Sequence, residues 1–171
     1  MKNILLYLMI MLGFGFLACE KDDEVRPFVD FAGTWESVPD YTAGVHTVAY
    51  PDGNYEIPKE YKVSGSCDYM DGIDPEKSFF NTIDPEWDPL INGFRGEAIM
   101  TLSAPNGDKL YLEGEILIFQ THYNEAYFNF TGGEGKFNAA EGWVKATGQA
   151  NPDNGHNYME AAGKINEPKK N

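Results

Sequence analysis

"TGGEGKFNAAEG", Thr131 to Gly142, places three glycines and a lysine within five residues. Such a stretch either cradles a phosphate or turns a chain between strands, and the two readings lead to different folds. A phosphate-binding P-loop needs a glycine five residues ahead of its Gly-Lys pair and a Ser or Thr after the lysine. Here Phe130 stands five before Gly135, and Phe137 follows Lys136. The dinucleotide fingerprint fails as well: Gly133 and Gly135 fill its first two positions, but Asn138 occupies the third. An aromatic strand precedes the stretch and another strand follows it, so Gly132, Gly133 and Gly135 read as structural turn residues that supply positive φ in a tight bend. Phe137 then turns back into the core.

Working outward, the neighbouring segments alternate with period 2. "KLYLEGEILIF" sets Leu110, Leu112, Gly114, Ile116 and Ile118 against Lys109, Tyr111, Glu113 and Glu115. "EAYFNF" sets Ala126, Phe128 and Phe130 against Glu125, Tyr127 and Asn129. "GWVKATGQA" places Val144, Ala146, Gly148 and Ala150 together, and "YMEAAGKI" does the same for Met159, Ala161, Gly163 and Ile165. Asn106-Gly107 lies between two alternating runs, a hairpin signal because both residues tolerate positive φ. Period-2 runs at short spacing, without an amphipathic helix, predict an all-β antiparallel domain. The small residues Ala146, Gly148, Ala161 and Gly163 on an apolar face favour a barrel over a sandwich, by allowing close curvature or leaving room inside.

Toward the N-terminus the pattern weakens. "PFVDFAGTWESV" (27–38) reads as a first strand, residues 39–58 as turn-rich with a strand over Val45–Tyr50, and Glu60–Ser66 as another strand. Residues 68–92, which contain "IDPE" at Ile73 and again at Ile83, read as a long irregular excursion, either functional or covering one barrel end.

The first eighteen residues form a targeting pattern: Lys2, then an uncharged and mostly apolar run from Ile4 to Ala18, too short for a spanning helix of about 20 residues. The run ends "LAC", which resembles the lipobox of bacterial lipoproteins and implies cleavage before Cys19 and lipid attachment to it. "KDDE", Lys21, Asp22, Asp23 and Glu24, resembles the export signal of Bacteroidetes lipoproteins and implies outer-membrane anchoring that faces the cell exterior. The expected organisation is signal peptide 1–18, lipidated cysteine and acidic tether 19–26, barrel domain 27–166 and polar tail 167–171. Removing residues 1–18 takes away Lys2 and no acid. That leaves 12 basic and 27 acidic residues and a net charge of −15. A surface so acidic repels nucleic acid and suits a soluble monomer whose only contact with a membrane is the lipid anchor. Apart from Cys19 only Cys67 remains, so no intramolecular disulfide holds the mature domain.

The glycine stretch resembles the Thr-Gly-Gly-x-Gly-x-Phe-x-x-Ala-x-Gly motif of proteins with the allene oxide cyclase and dirigent barrel. "LSAPNGDKLYLEGE" is similar to the Asn-Gly-Asp hairpin of bacterial members, and "AAGKI" sits where that family's closing strand does. The resemblance spans Gly93 to Ile165. It implies an eight-stranded up-and-down antiparallel barrel with a central apolar cavity. Plant members are cyclases or steer radical coupling, but their catalytic residues do not map onto this chain, and none is carried over.

Other chemistry is sparse. On a strand, His122 and Glu125 of "HYNE" face opposite sides and cannot share a metal. His46 and His156 lie far apart in sequence and read as solvated. Asp68, Asp71, Asp74 and Glu76 surround Gly72, but counting back gives Cys67, Tyr69 and Asp71 at EF-hand positions 1, 3 and 5, and only the last fits. Cys67 has no base beside it and reads as an inert thiol. Trp87, in turn-rich "DPEWDP", caps a core or rims a pocket. No catalytic residue, metal ligand or cofactor is therefore assigned. The expected function is binding of a small apolar ligand or a partner by the barrel; an isomerase or cyclase acting inside the cavity is the alternative.

Overall fold

The computed structural model describes residues 25–170. The signal peptide, Cys19 and the acidic run Lys21, Asp22, Asp23 and Glu24 lie outside the described residues. Ten strands follow in order: β1 Phe28–Pro39, β2 Val45–Tyr50, β3 Gly53–Pro58, β4 Glu60–Cys67, β5 Phe79–Asp88, β6 Gly93–Ser103, β7 Lys109–Phe119, β8 Tyr123–Glu134, β9 Gly142–Ala150 and β10 Asn157–Asn166. Eight of them close a barrel in the order β1-β10-β9-β8-β7-β6-β5-β4, and every neighbouring pair is antiparallel. From β4 to β10 each strand pairs with the next in sequence, the up-and-down arrangement. β1 closes the ring between β10 and β4. The hairpin β2–β3 forms its own two-stranded sheet, inserted between β1 and β4.

The predicted alternation is the observed alternation of burial. Leu110, Leu112 and Ile116 of β7, Ala126, Phe128 and Phe130 of β8, Val144 and Ala146 of β9, and Met159, Ala161 and Ile165 of β10 all belong to one buried core. The small residues on these strands serve curvature. A Cβ on Gly148 would stand 1.9 Å from the Tyr158 carbonyl oxygen, and one on Gly163 would stand 2.0 Å from that of Trp143. Only a residue without a side chain lets the strands approach and bend that closely.

Two expectations need correction. Residues 39–58 are not simply turns around one strand, because Gly53–Pro58 is itself a strand and pairs with Val45–Tyr50. Nor are residues 68–92 irregular throughout: Phe79–Asp88 is β5, which joins β4 to β6. Its alternation is broken by a bulge between Ile83 and Glu86, with Asp84 at φ 43°. Pro85 lacks an N–H, so it sits only where no ladder bond is needed. β5 meets β4 only over Phe79–Asn81; beyond that its free edge is taken by the hairpin. The two "IDPE" copies thus differ. At Ile83 the sequence makes a bulge within a strand. At Ile73 it makes a turn, in which Asp74 Oδ1 accepts from the Glu76 amide.

Antiparallel order gives the barrel two unlike ends. One carries residues 68–78, the turns at 104–108 and 135–141, and both ends of the described chain. Met70, Ile73, Ala104, Phe137 and Ala140 fill it as part of the main core. The other carries the β2–β3 hairpin and the connections 89–92, 120–122 and 151–156.

Candidate functional site

The glycine stretch belongs to the filled end, where Asp108 joins two turns. Asn106 Nδ2 donates to Asp108 Oδ2 at 2.9 Å, and the Asp108 amide donates to Asn106 Oδ1. The same carboxylate reaches across to the second turn, accepting from the Lys136 amide at 3.3 Å and lying 3.6 Å from Lys136 Nζ. Gly107 and Gly135 adopt φ of 94° and 64°. Gly132 has φ 130° beside a register shift in the β7–β8 pairing, and Gly133 packs against Phe137. Phe137 is fully buried, with Lys136 Nζ 5.6 Å from its ring centre. Arg26 donates to the carbonyls of Asn138, Ala139 and Glu167, which ties the first described residues to this end. The turn holds side chains and backbone of its own chain.

The hairpin end is different. Under the hairpin lies a cavity of about 120 Å³. Its walls are mainly apolar and aromatic: Trp35 of β1, Phe80 of β5, Met100 of β6, Ile116 of β7, Phe128 of β8 and Met159 of β10. Ile57 and Pro58 of the hairpin form the roof, with Tyr41, Tyr55 and Glu56 at the rim. A second small core fastens the hairpin to the barrel. Val48 and Ile57 pack with Phe94, against Tyr50, Trp87 and Ile118. Trp87 lies 5.3 Å from Phe94 and 5.7 Å from Tyr50, so it pins the hairpin and does not line the cavity. Hydrogen bonds add to this: His46 Nε2 donates to the Thr82 carbonyl at 3.0 Å, and Thr82 Oγ1 donates to the Pro58 carbonyl at 2.7 Å.

The polar atoms of the cavity are few. Asn124, 7% exposed, and Asn157 both line it, and the side-chain oxygen of each is buried without a hydrogen-bond partner among the described residues. Burial raises the Tyr61 phenol well above its ordinary range, with Tyr41 and Tyr55 adding to the effect. Tyr55 is raised in the same way, first by burial and then by Tyr41 and Tyr50. Neutral phenols therefore line this end at physiological pH. Glu125 touches the cavity boundary, but its carboxylate accepts from Tyr123 and Tyr127 and lies 3.1 Å from Lys145 Nζ.

The remaining candidates fall elsewhere. His156 Nδ1 lies 2.7 Å from Glu36 Oε1, and His122 is exposed in the β7–β8 turn with φ 63°. Asp68 Oδ2 accepts from the Ala32 amide, and Asp74 pairs with Lys77 at 2.9 Å. Among the described residues no group of three or more His, Cys, Asp or Glu is placed to hold a metal ion. Cys67 is buried. Burial, reinforced by the Asp68 charge and opposed by Lys136, pushes its thiol up to about 12.

Sequence reasoning assigned none of the cavity residues. One signal was present: Asn124 shares the inward phase of Ala126 and Phe128, and Asn157 that of Met159. An asparagine in the buried phase of a strand is a polar group placed inside by the fold.

No protein-family model matches this chain, and no curated protein matches it. Among solved structures it is similar to two pterocarpan synthase dirigent proteins, each 16% identical, with TM-scores of 0.49 and 0.48. Each superposition covers 84% of this chain, and 92% and 97% of the respective dirigent chains.

Proposed function

We propose that this protein binds one small, largely apolar molecule in the chamber beneath the β2–β3 hairpin. The carrying observation is the chamber itself: about 120 Å³ at one end of a barrel whose other end is filled. A barrel of eight strands is just wide enough to be filled by side chains or to hold one small ligand. Drug-sized ligands occupy about 300–1,000 Å³, whereas a dry apolar cavity of about 150 Å³ takes a benzene. The ligand is of single-ring size. A recessed space suits a small molecule better than a protein partner, which needs an extended surface.

Binding is favoured over isomerase or cyclase chemistry because, among the described residues, no acid–base pair faces the chamber. The Glu125 carboxylate is held by Tyr123, Tyr127 and Lys145, and Glu56 is exposed at the rim. The "LAC" sequence at Cys19 and the acidic run after it support a lipid-anchored protein on the outer face of an outer membrane, and the net charge of −15 after residues 1–18 are removed suits a monomer. Changing Cys19 to serine should release the protein from the membrane fraction.

Native mass spectrometry of gently purified protein tests the binding reading. A monomer carrying a non-covalent passenger of small mass is expected. A bare monomer that also leaves apolar dyes unbound in solution overturns it.

A further inference from the structure

We infer that the chamber favours an uncharged ligand whose polar group is a hydrogen-bond acceptor, held by the side-chain N–H groups of Asn124 and Asn157. The inference rests on the ligand-binding reading and deepens it.

Each carboxamide is divided between wall and chamber. Its oxygen is sealed against the chain, without accessible surface and without a donor among the described residues. Its Nδ2 is not sealed, and no described residue accepts from it. Both side chains line the chamber, and Asn124 is otherwise buried, so the N–H donors are the part a ligand meets. The opposite orientation would seal two N–H donors in place of one oxygen. An unpaired buried N–H is rarer in proteins than an under-satisfied carbonyl oxygen, so the observed orientation is the favoured one.

The neighbouring strand leaves these donors free. Asn124 pairs with Gly148 and Asn157 with Ala150, and neither β9 residue has a side chain that could accept. Tyr61, in the inward phase of Val63, adds a third group: its phenol lines the chamber and no hydrogen bond to a described residue holds it. Burial keeps that hydroxyl protonated, so it can donate. A phenol also accepts, so the discrimination lies with the amides. A ligand that fills the chamber excludes water from the amide N–H groups. An acceptor on the ligand replaces the lost hydrogen bonds, whereas an apolar or donor-only ligand leaves the N–H groups unpaired.

Charge narrows the class further. Among the described residues no Lys, Arg or His lines the chamber, and Glu56 and Glu125 stand at its boundary, so an anion meets no counter-charge. The Glu125 carboxylate is held by Tyr123, Tyr127 and Lys145, and a cation would face N–H donors. Ions are strongly disfavoured in such a site. What remains is a neutral ring between Trp35 and Phe128, with a carbonyl, ether, nitrile or ring-nitrogen acceptor turned toward an asparagine.

The test uses matched one-ring probes on the purified protein: benzonitrile (acceptor), aniline (donor), toluene (no polar group) and benzoate (anion), with affinities measured by ligand-observed NMR. Benzonitrile should bind about tenfold more tightly than aniline, the scale of one buried hydrogen bond, and benzoate should not bind. Asn124→Leu and Asn157→Leu should each lower the ratio of benzonitrile to aniline affinity, and the double variant should bring it close to one. Equal binding of the two on the unaltered protein, or a preference for aniline, overturns the acceptor inference and leaves the chamber reading standing. Binding of toluene alone does the same, and tight binding of benzoate overturns the exclusion of ions. Binding of none of the four overturns both readings. The probe series on the unaltered protein decides the matter even if a variant fails to fold.

Discussion

The carboxylate of Asp108 stands where a side chain on Gly135 would go: a Cβ there would lie 1.9 Å from Asp108 Oδ1. The glycine is needed twice over, for its φ of 64° and for the space it cedes to the acid. Gly135→Ala should destabilise the protein by about 2–4 kcal/mol, from left-handed backbone strain and a displaced buried carboxylate. Asp108→Asn, which keeps size and some hydrogen bonding, should cost about 1 kcal/mol. Urea titrations of the two variants should rank them in that order, and equal midpoints would show that the acid and the glycine are not coupled.

Phe137 plugs the filled end with no exposed surface. Phe137→Ala should lower stability by about 3–5 kcal/mol, the range for removing a buried ring. The opposite end should keep its ligand affinity under conditions where the variant remains folded. A parallel loss of binding would mean the two ends are not independent.

Trp87 fastens the hairpin through Phe94 and Tyr50. Trp87→Ala should accelerate amide hydrogen exchange across Val45–Pro58 while leaving β7 and β8 protected, because the hairpin is a separate sheet outside the barrel ladder. Ligand affinity should fall with it. Unchanged exchange in the hairpin would show that its hydrogen bonds to Thr82 suffice.

Cys67 sets an alkaline limit. The folded thiol keeps its proton up to about pH 12, whereas the unfolded one loses it near 9.0. Between those values the folded state binds more protons, so stability is complete below pH 9 and declines as pH rises toward 12. The total is on the order of 4 kcal/mol. Tyr61, also raised, adds a further decline above pH 10. Denaturation midpoints measured from pH 8 to 11 should fall, and Cys67→Ala should remove the part that begins near 9. Below pH 9 the native thiol should resist alkylation.

The reading of β7 through β10 from sequence succeeded because each strand buries one face, so every second residue reports its direction. The Asn106-Gly107 turn fixed where β6 reverses into β7. β5 escaped because the bulge at Asp84-Pro85 shifts the phase in mid-strand, and two short in-phase pieces look like turns. β3 escaped because Gly53, Asn54, Tyr55 and Glu56 are all exposed and carry no alternation; only Ile57 and Pro58 are buried. The chamber was less legible still. It needs Phe80 from the strand that went unread, a roof from the hairpin that was half read, and a meeting of eight strands that no local pattern encodes. Asn124 and Asn157 were readable only as misfits in an apolar phase.

Arg26 anchors the incoming chain at the filled pole, and the chamber lies at the other. Strands of 11–12 residues, rising about 3.3 Å per residue and tilted as barrel strands are, set the poles roughly 25–30 Å apart. If the protein is anchored at Cys19 as proposed, the chain enters the barrel domain at the filled pole. The roofed chamber would then lie a barrel's height away from that entry point, on the side turned from the anchor.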